Sequence, residues 1–122
     1  MIVFILLVPQ GSHVYVLAEV KDETVLIDQC ALKKGYLMSV ILPEETISHG
    51  NRNIILRVFY NQTELFTSDR CIRYNIGTGD CVLESNTLPS DLPIDSELLI
   101  QIELLDANNR LIAKVEDSLV YK

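Results

Sequence analysis

In several stretches of the chain, apolar and polar positions alternate with a period of two, as in strands with one face buried and one face in solvent. The pattern is clearest from Glu97 to Leu105, where Leu98, Ile100, Ile102 and Leu104 alternate with Leu99, Gln101, Glu103 and Leu105. Asp106-Ala107-Asn108-Asn109 follows, a cluster that tolerates turns and left-handed backbone, and alternation resumes from Arg110 to Tyr121. There Leu111, Ala113 and Val115 are set against Ile112, Lys114 and Glu116. The two segments predict a C-terminal hairpin.

Upstream, Ile54, Leu56, Val58 and Tyr60 alternate with Ile55, Arg57 and Phe59, and Tyr36 to Leu42 is an apolar run between Gly35 and Pro43. Both predict strands. Val25 and Ile27 mark a shorter piece before Cys30, and Glu64 to Thr67 another before Cys71. Val14, Val16 and Val20, set against Tyr15, Leu17 and Glu19, suit a further extended segment. Pro43 to His49 is the one stretch with a helical case: Pro43 fits a first turn and Glu44-Glu45 its positive end, so one turn at most is expected. Ser85 to Ser96, with Pro89 and Pro93, reads as an extended connection and not a central strand. About seven short strands with turn residues between them predict an all-β fold, an antiparallel immunoglobulin-like β-sandwich of two sheets.

Composition narrows the functional classes. A chain of 122 residues, 48% hydrophobic and 22% charged, fits one domain with a packed core. Its formal charge of −7 opposes attraction to phosphate backbones, so nucleic acid is not an expected partner. No apolar run approaches the ~20 residues of a membrane-spanning helix. Met1 to Val8 resembles a short secretory apolar region, and Val16-Leu17-Ala18 offers small residues at cleavage spacing, although no Lys or Arg precedes the run. Residues 1–18 therefore admit two readings, a signal-peptide remnant or the first strand, with the sandwich domain at 19–122.

Candidate chemistry is sparse. Three Cys and two His form no metal-binding pair, and Gly77-Thr78-Gly79 lacks the Lys of a phosphate loop and the third Gly of a dinucleotide motif. No carboxylate pair stands out from the solvated acids, so neither an enzyme nor a cofactor is expected. Cys71 and Cys81 bracket a loop with two glycines. A disulfide there would contribute roughly 3 kcal/mol and imply an oxidising compartment; two buried thiols in a reducing one are the alternative. Asn61-Gln62-Thr63 is a glycosylation sequon just after a strand, which suits a secreted protein.

The order of these features resembles the ML family of small secreted lipid-recognition sandwiches. Cys30, Leu32-Lys33-Lys34-Gly35, an apolar strand and Pro43 follow one another as they do in the endotoxin co-receptor branch. A central strand, here Asn53 to Tyr60, then leads to Ser68-Asp69-Arg70-Cys71. The Cys71 to Cys81 spacing is similar to that branch's loop disulfide. Leu88-Pro89, Leu92-Pro93, the strand from Glu97 and the closing hairpin complete a resemblance that covers Thr24 to Tyr121. The chain departs from the pattern between Val82 and Thr87, where about one strand is missing. Ala113 and Val16 stand near the places of a second disulfide, and Cys30 lacks its usual N-terminal partner.

The resemblance implies a Cys71–Cys81 bond, with Cys30 left free or bonded to another chain. It also implies that the sheets enclose acyl chains or a sterol on which no chemistry is done. The matching inward positions are Val25, Ile27, Leu37, Ile41, Leu56, Val58, Tyr60, Leu98, Ile100 and Ile102. Lys33, Lys34, Arg70 and Arg73 would meet an anionic headgroup at the rim. The expected function is secreted or extracellular lipid binding or presentation, the lysosomal lumen being a further location, with a receptor protein as partner. An immunoglobulin-like interaction module with a filled core, or a shortened regulatory relative, is the competing reading.

Overall fold

A computed structural model describes residues 11–34, 53–69, 71–75 and 77–122. They form β1 (Ser12–Lys21), β2 (Thr24–Lys34), β3 (Asn53–Tyr60), β4 (Thr63–Ser68), β5 (Arg73–Asn75), β6 (Asp80–Glu84), β7 (Glu97–Leu105) and β8 (Leu111–Val120). Every pairing is antiparallel, and the strands make two four-stranded sheets, ordered β2-β1-β6-β5 and β4-β3-β7-β8. The fold is an all-β antiparallel sandwich. The apolar run Tyr36 to Leu42, the turn expected at Pro43 to His49 and the opening run Met1 to Val8 lie outside the described residues.

The expected C-terminal hairpin joins β7 to β8, with Leu98 opposite Leu119 and Ile102 opposite Val115. Its turn is closed by backbone bonds between Asp106 and both Asn109 and Arg110 and braced by one side chain. Asp106 Oδ1 accepts hydrogen bonds from the backbone N–H groups of Asn108 at 2.8 Å and Arg110 at 2.9 Å, while Asn109 takes the left-handed backbone at φ 63°. These N–H groups hold the Asp106 carboxyl below the usual carboxylate range, the Arg110 bond contributing most.

Residues 12–18, which the sequence assigns either to a leader or to a strand, lie within β1. This is an inner strand of its sheet, held by β2 on one side and β6 on the other. Val14, Val16 and Ala18 are fully buried on its inner face. The pairing of β1 with β2 contains a bulge: Leu17 faces Gln29 and Ala18 faces Ile27, leaving Asp28 as the extra residue. Because of it, Val25 and Ile27 share the inward face with Cys30 and Leu32, which pair with Val16 and Val14.

Between the sheets, Val14, Val16, Ala18 and Leu83 from one side meet Ile54, Leu56, Val58, Leu98, Ile100, Ile102 and Leu104 from the other in a continuous aliphatic cluster. The β6–β7 connection is extended, as expected from its prolines, and caps the cluster with Leu88 and Leu92. Its backbone is tied down at both ends. The Leu88 N–H donates to the Ser12 carbonyl at 2.8 Å, and the Asp95 N–H to the Tyr121 carbonyl at 2.7 Å. Cys71 and Cys81 form a disulfide with Cα atoms 6.2 Å apart, and Cys30 is free. Gly79, next to that bond, adopts φ +83°, and its carbonyl accepts from the Val20 N–H at 2.8 Å. A Cβ at Gly79 would run into the Val20 carbonyl oxygen.

Candidate ligand cleft between the edge strands

Five of the residues expected to line a cavity between the sheets lie at a filled centre. Leu56, Val58, Leu98, Ile100 and Ile102 have no accessible surface, and Val25 has 5%. A side chain with no accessible surface borders no space wide enough for water, so the sandwich is closed around these five. Ile27 and Tyr60 are half-buried against the same cluster, and Leu37 and Ile41 lie outside the described residues. The lack of Trp and the small number of Phe do not leave this centre open. Facing sheets pack about 10 Å apart, a gap that interdigitated Val, Leu and Ile fill without large aromatics.

Room exists instead at one side of the sandwich. Among the described residues β2 and β8 are the outermost strands on one side of different sheets, and they pack against each other. Beside their contact a cleft of about 610 Å³ is lined by Ser12, Cys30, Ala31, Leu32, Lys34, Leu119, Val120 and Lys122. Its floor follows from the strand registers. The bulge at Asp28 turns Cys30 and Leu32 inward, and pairing of Leu119 with Leu98 turns Leu119 toward them. Lys34 and Lys122 supply the positive charge.

The expected headgroup cluster is only partly assembled. Lys33 and Lys34 are neighbours on one strand and therefore project to opposite sides. Lys34 lines the cleft, whereas the Lys33 ammonium lies 4.2 Å from the centre of the Tyr15 ring, a cation–π contact. Arg73 belongs to β5, at the far edge of the same sheet from β2, and Arg70 lies outside the described residues. Lys122 went unnoticed in the sequence because nothing in its neighbourhood marks it; only the packing of β8 on β2 brings it to Lys34. Cys30 at the cleft is a poor nucleophile. Burial, reinforced by the nearby charge of Asp117, pushes its thiol up to about 11.

Two further hollows stand out among the described residues. One, of about 440 Å³, lies on the outer face of the second sheet beside Phe59, Asn61, Gln62, Glu97, Leu99 and Gln101. The other, about 330 Å³, is lined chiefly by polar groups around Phe66, Asp69, Glu84 and Asn86. His13 and Glu84 form a buried pair with Nε2 and Oε2 3.4 Å apart, and His13 Nδ1 has no hydrogen-bond partner. Among the described residues no cluster of three or more His, Cys, Asp or Glu could hold a metal, and no helix is long and apolar enough to cross a membrane. Compared with family models, curated proteins and solved structures, the chain finds no match in any of the three.

Proposed function

We propose that the protein binds an anionic single-chain amphiphile, of the fatty-acid class, in the cleft between β2 and β8. One observation carries the reading: an apolar floor of Cys30, Leu32 and Leu119 lies in the same hollow as two lysines. At about 610 Å³ the hollow falls within the range of small-molecule sites, roughly 300–1,000 Å³. Each methylene buried on the floor contributes about 0.8 kcal/mol, so a run of eight supplies roughly 6 kcal/mol before association costs. Lys34 is exposed, so its contact with a carboxylate adds at most about 1 kcal/mol and mainly sets which end of the ligand faces out.

The Cys71–Cys81 bond fits an extracellular or lysosomal location. In this reading the ligand is carried at the margin of the sandwich, and its exposed head is available to a receptor protein. The filled centre favours the second reading, an interaction module that works through its surface alone.

Organic extraction of the purified protein followed by mass spectrometry, together with titration of a fluorescent fatty acid, separates the two. Recovered or bound fatty acid, weakened by Leu119→Trp and by Lys34→Glu with the fold retained, supports the cleft. No extracted lipid and no probe binding at micromolar concentrations would leave the surface-interaction reading in its place.

A further inference from the structure

The hollow on the outer face of the second sheet is independent of the β2–β8 cleft, and its position at the tip of a hairpin gives it a specific occupant. β3 and β4 are joined by Asn61 and Gln62 alone, with Tyr60 paired to Thr63. Both turn residues are left-handed, φ 53° and 70°, the geometry of a type I′ hairpin turn. Asn61, Gln62 and Thr63, the whole of the Asn-x-Thr sequon, are exposed at this tip. Asn61 itself borders the hollow, together with Phe59, two residues earlier, and Leu99 on the neighbouring β7. Leu99 keeps 38% of its surface accessible, so the hollow has an apolar floor in contact with solvent.

We propose that Asn61 carries an N-linked glycan whose first sugars lie in this hollow over Phe59 and Leu99. A pyranose ring has one face of C–H groups, which packs on the electron-rich face of an aromatic ring, and hydroxyl and acetamido groups at its edge that need polar partners. Phe59 and Leu99 provide the first surface; Glu97 and Gln62 provide polar groups at the margin. The occupant is covalently tethered at the hollow's edge, so little association entropy opposes its seating.

In the attachment step, Asn61 Nδ2 forms a bond to the anomeric carbon of a polyprenyl-diphosphate-linked oligosaccharide. The bond from that carbon to the diphosphate oxygen breaks, the diphosphate departs with the bonding pair, and the amide gives up one proton to a base of the transferase. No oxidation or reduction is involved. The Cys71–Cys81 disulfide independently fits the oxidising lumen in which such transfer takes place.

The test is expression of the full chain through a eukaryotic secretory pathway, followed by peptide mass mapping before and after treatment with an amidase that releases N-glycans. The expected result is a glycan at Asn61, absent in Thr63→Ala. Enzymatic trimming to the first sugar should leave the melting temperature almost unchanged, whereas complete removal should lower it by several degrees. That loss should be much smaller in Phe59→Ser and Leu99→Ser. In the unaltered glycoprotein, nuclear Overhauser contacts should connect the first sugar to the Phe59 ring, which keeps the seat testable if either variant misfolds. An unoccupied Asn61 in the secreted protein overturns the proposal. Occupancy without contacts to Phe59, or with equal stabilisation in the variants, overturns the seating over the sheet.

Discussion

Replacing Val58 by Phe distinguishes a closed sandwich from one that holds its ligand at the centre. Val58 lies on β3 opposite Ile100 on β7, and neither has accessible surface. The substitution adds about four heavy atoms to a site without accessible surface, in the same buried cluster as the aliphatics of β1 and β6. Extra volume in a packed core forces off-rotamer side chains and backbone shifts, costing roughly 1–3 kcal/mol. For a domain of this size, each kcal/mol moves the melting temperature by roughly 3–5 °C, so a fall of about 3–15 °C is expected. Urea unfolding should show a lower midpoint with an unchanged slope, because the surface exposed on unfolding hardly changes. If the variant still folds, it should bind fatty acid as the unaltered protein does, since Val58 lies on β3, two strands from β8, and does not line the cleft. A Val58→Phe protein of normal stability that no longer takes up lipid would refute the reasoning and place the ligand between the sheets.

Four other outcomes follow from particular residues. Removing the disulfide as Cys71→Ala with Cys81→Ala frees a loop with a sequence separation of 10 and should cost about 2.7 kcal/mol by chain entropy, read as a lower urea midpoint. Gly79→Ala should lower stability by at least about 1–2 kcal/mol, because a left-handed residue acquires a Cβ directed at the Val20 carbonyl; a neutral result in thermal melts would contradict the assigned backbone. Cys30 should react with iodoacetamide at neutral pH roughly 100-fold more slowly than a thiol at the ordinary value of 9.0, and folding stability should decline as pH rises from about 9 toward 11, where the unfolded thiol ionises and the folded one does not. Because the Asp106 carboxyl is held below its ordinary value, its contribution is present above pH ~4 and lost as pH falls through the folded value; the lower melting temperature of Asp106→Ala at pH 7 should therefore converge with that of the unaltered protein in acid.

The alternation in Glu97 to Leu105 determined both the strand and the side that would be buried: Leu98, Ile100, Ile102 and Leu104 are all without accessible surface. Asp106 to Asn109 determined the turn, because an Asp side chain and a left-handed Asn are local devices that need no distant partner. The bond between Cys71 and Cys81 was accessible for a related reason, since the short, glycine-containing loop keeps its ends close in any compact state. The inward identity of Val25 and Ile27 was legible as well, but that of Cys30 and Leu32 was not. A strict period of two from Ile27 points Gln29 and Ala31 inward, and only the extra residue Asp28, opposite no partner on β1, resets the phase.

What the sequence could not decide is where empty space lies. Alternation states that a face is buried and is silent on whether another side chain or a ligand buries it; the separation of the two sheets settles that, and here it leaves Leu56, Val58 and Ile100 in contact with protein alone. The rim was hidden for the same kind of reason. Lys33 and Lys34 are indistinguishable in a list of charges until strand parity sends one to Tyr15 and the other to the cleft. Lys34 and Lys122 stand 88 positions apart, and no local pattern links them. They become neighbours only because the edge of one sheet comes to rest against the edge of the other, a contact set by the packing of whole sheets and not by any single strand.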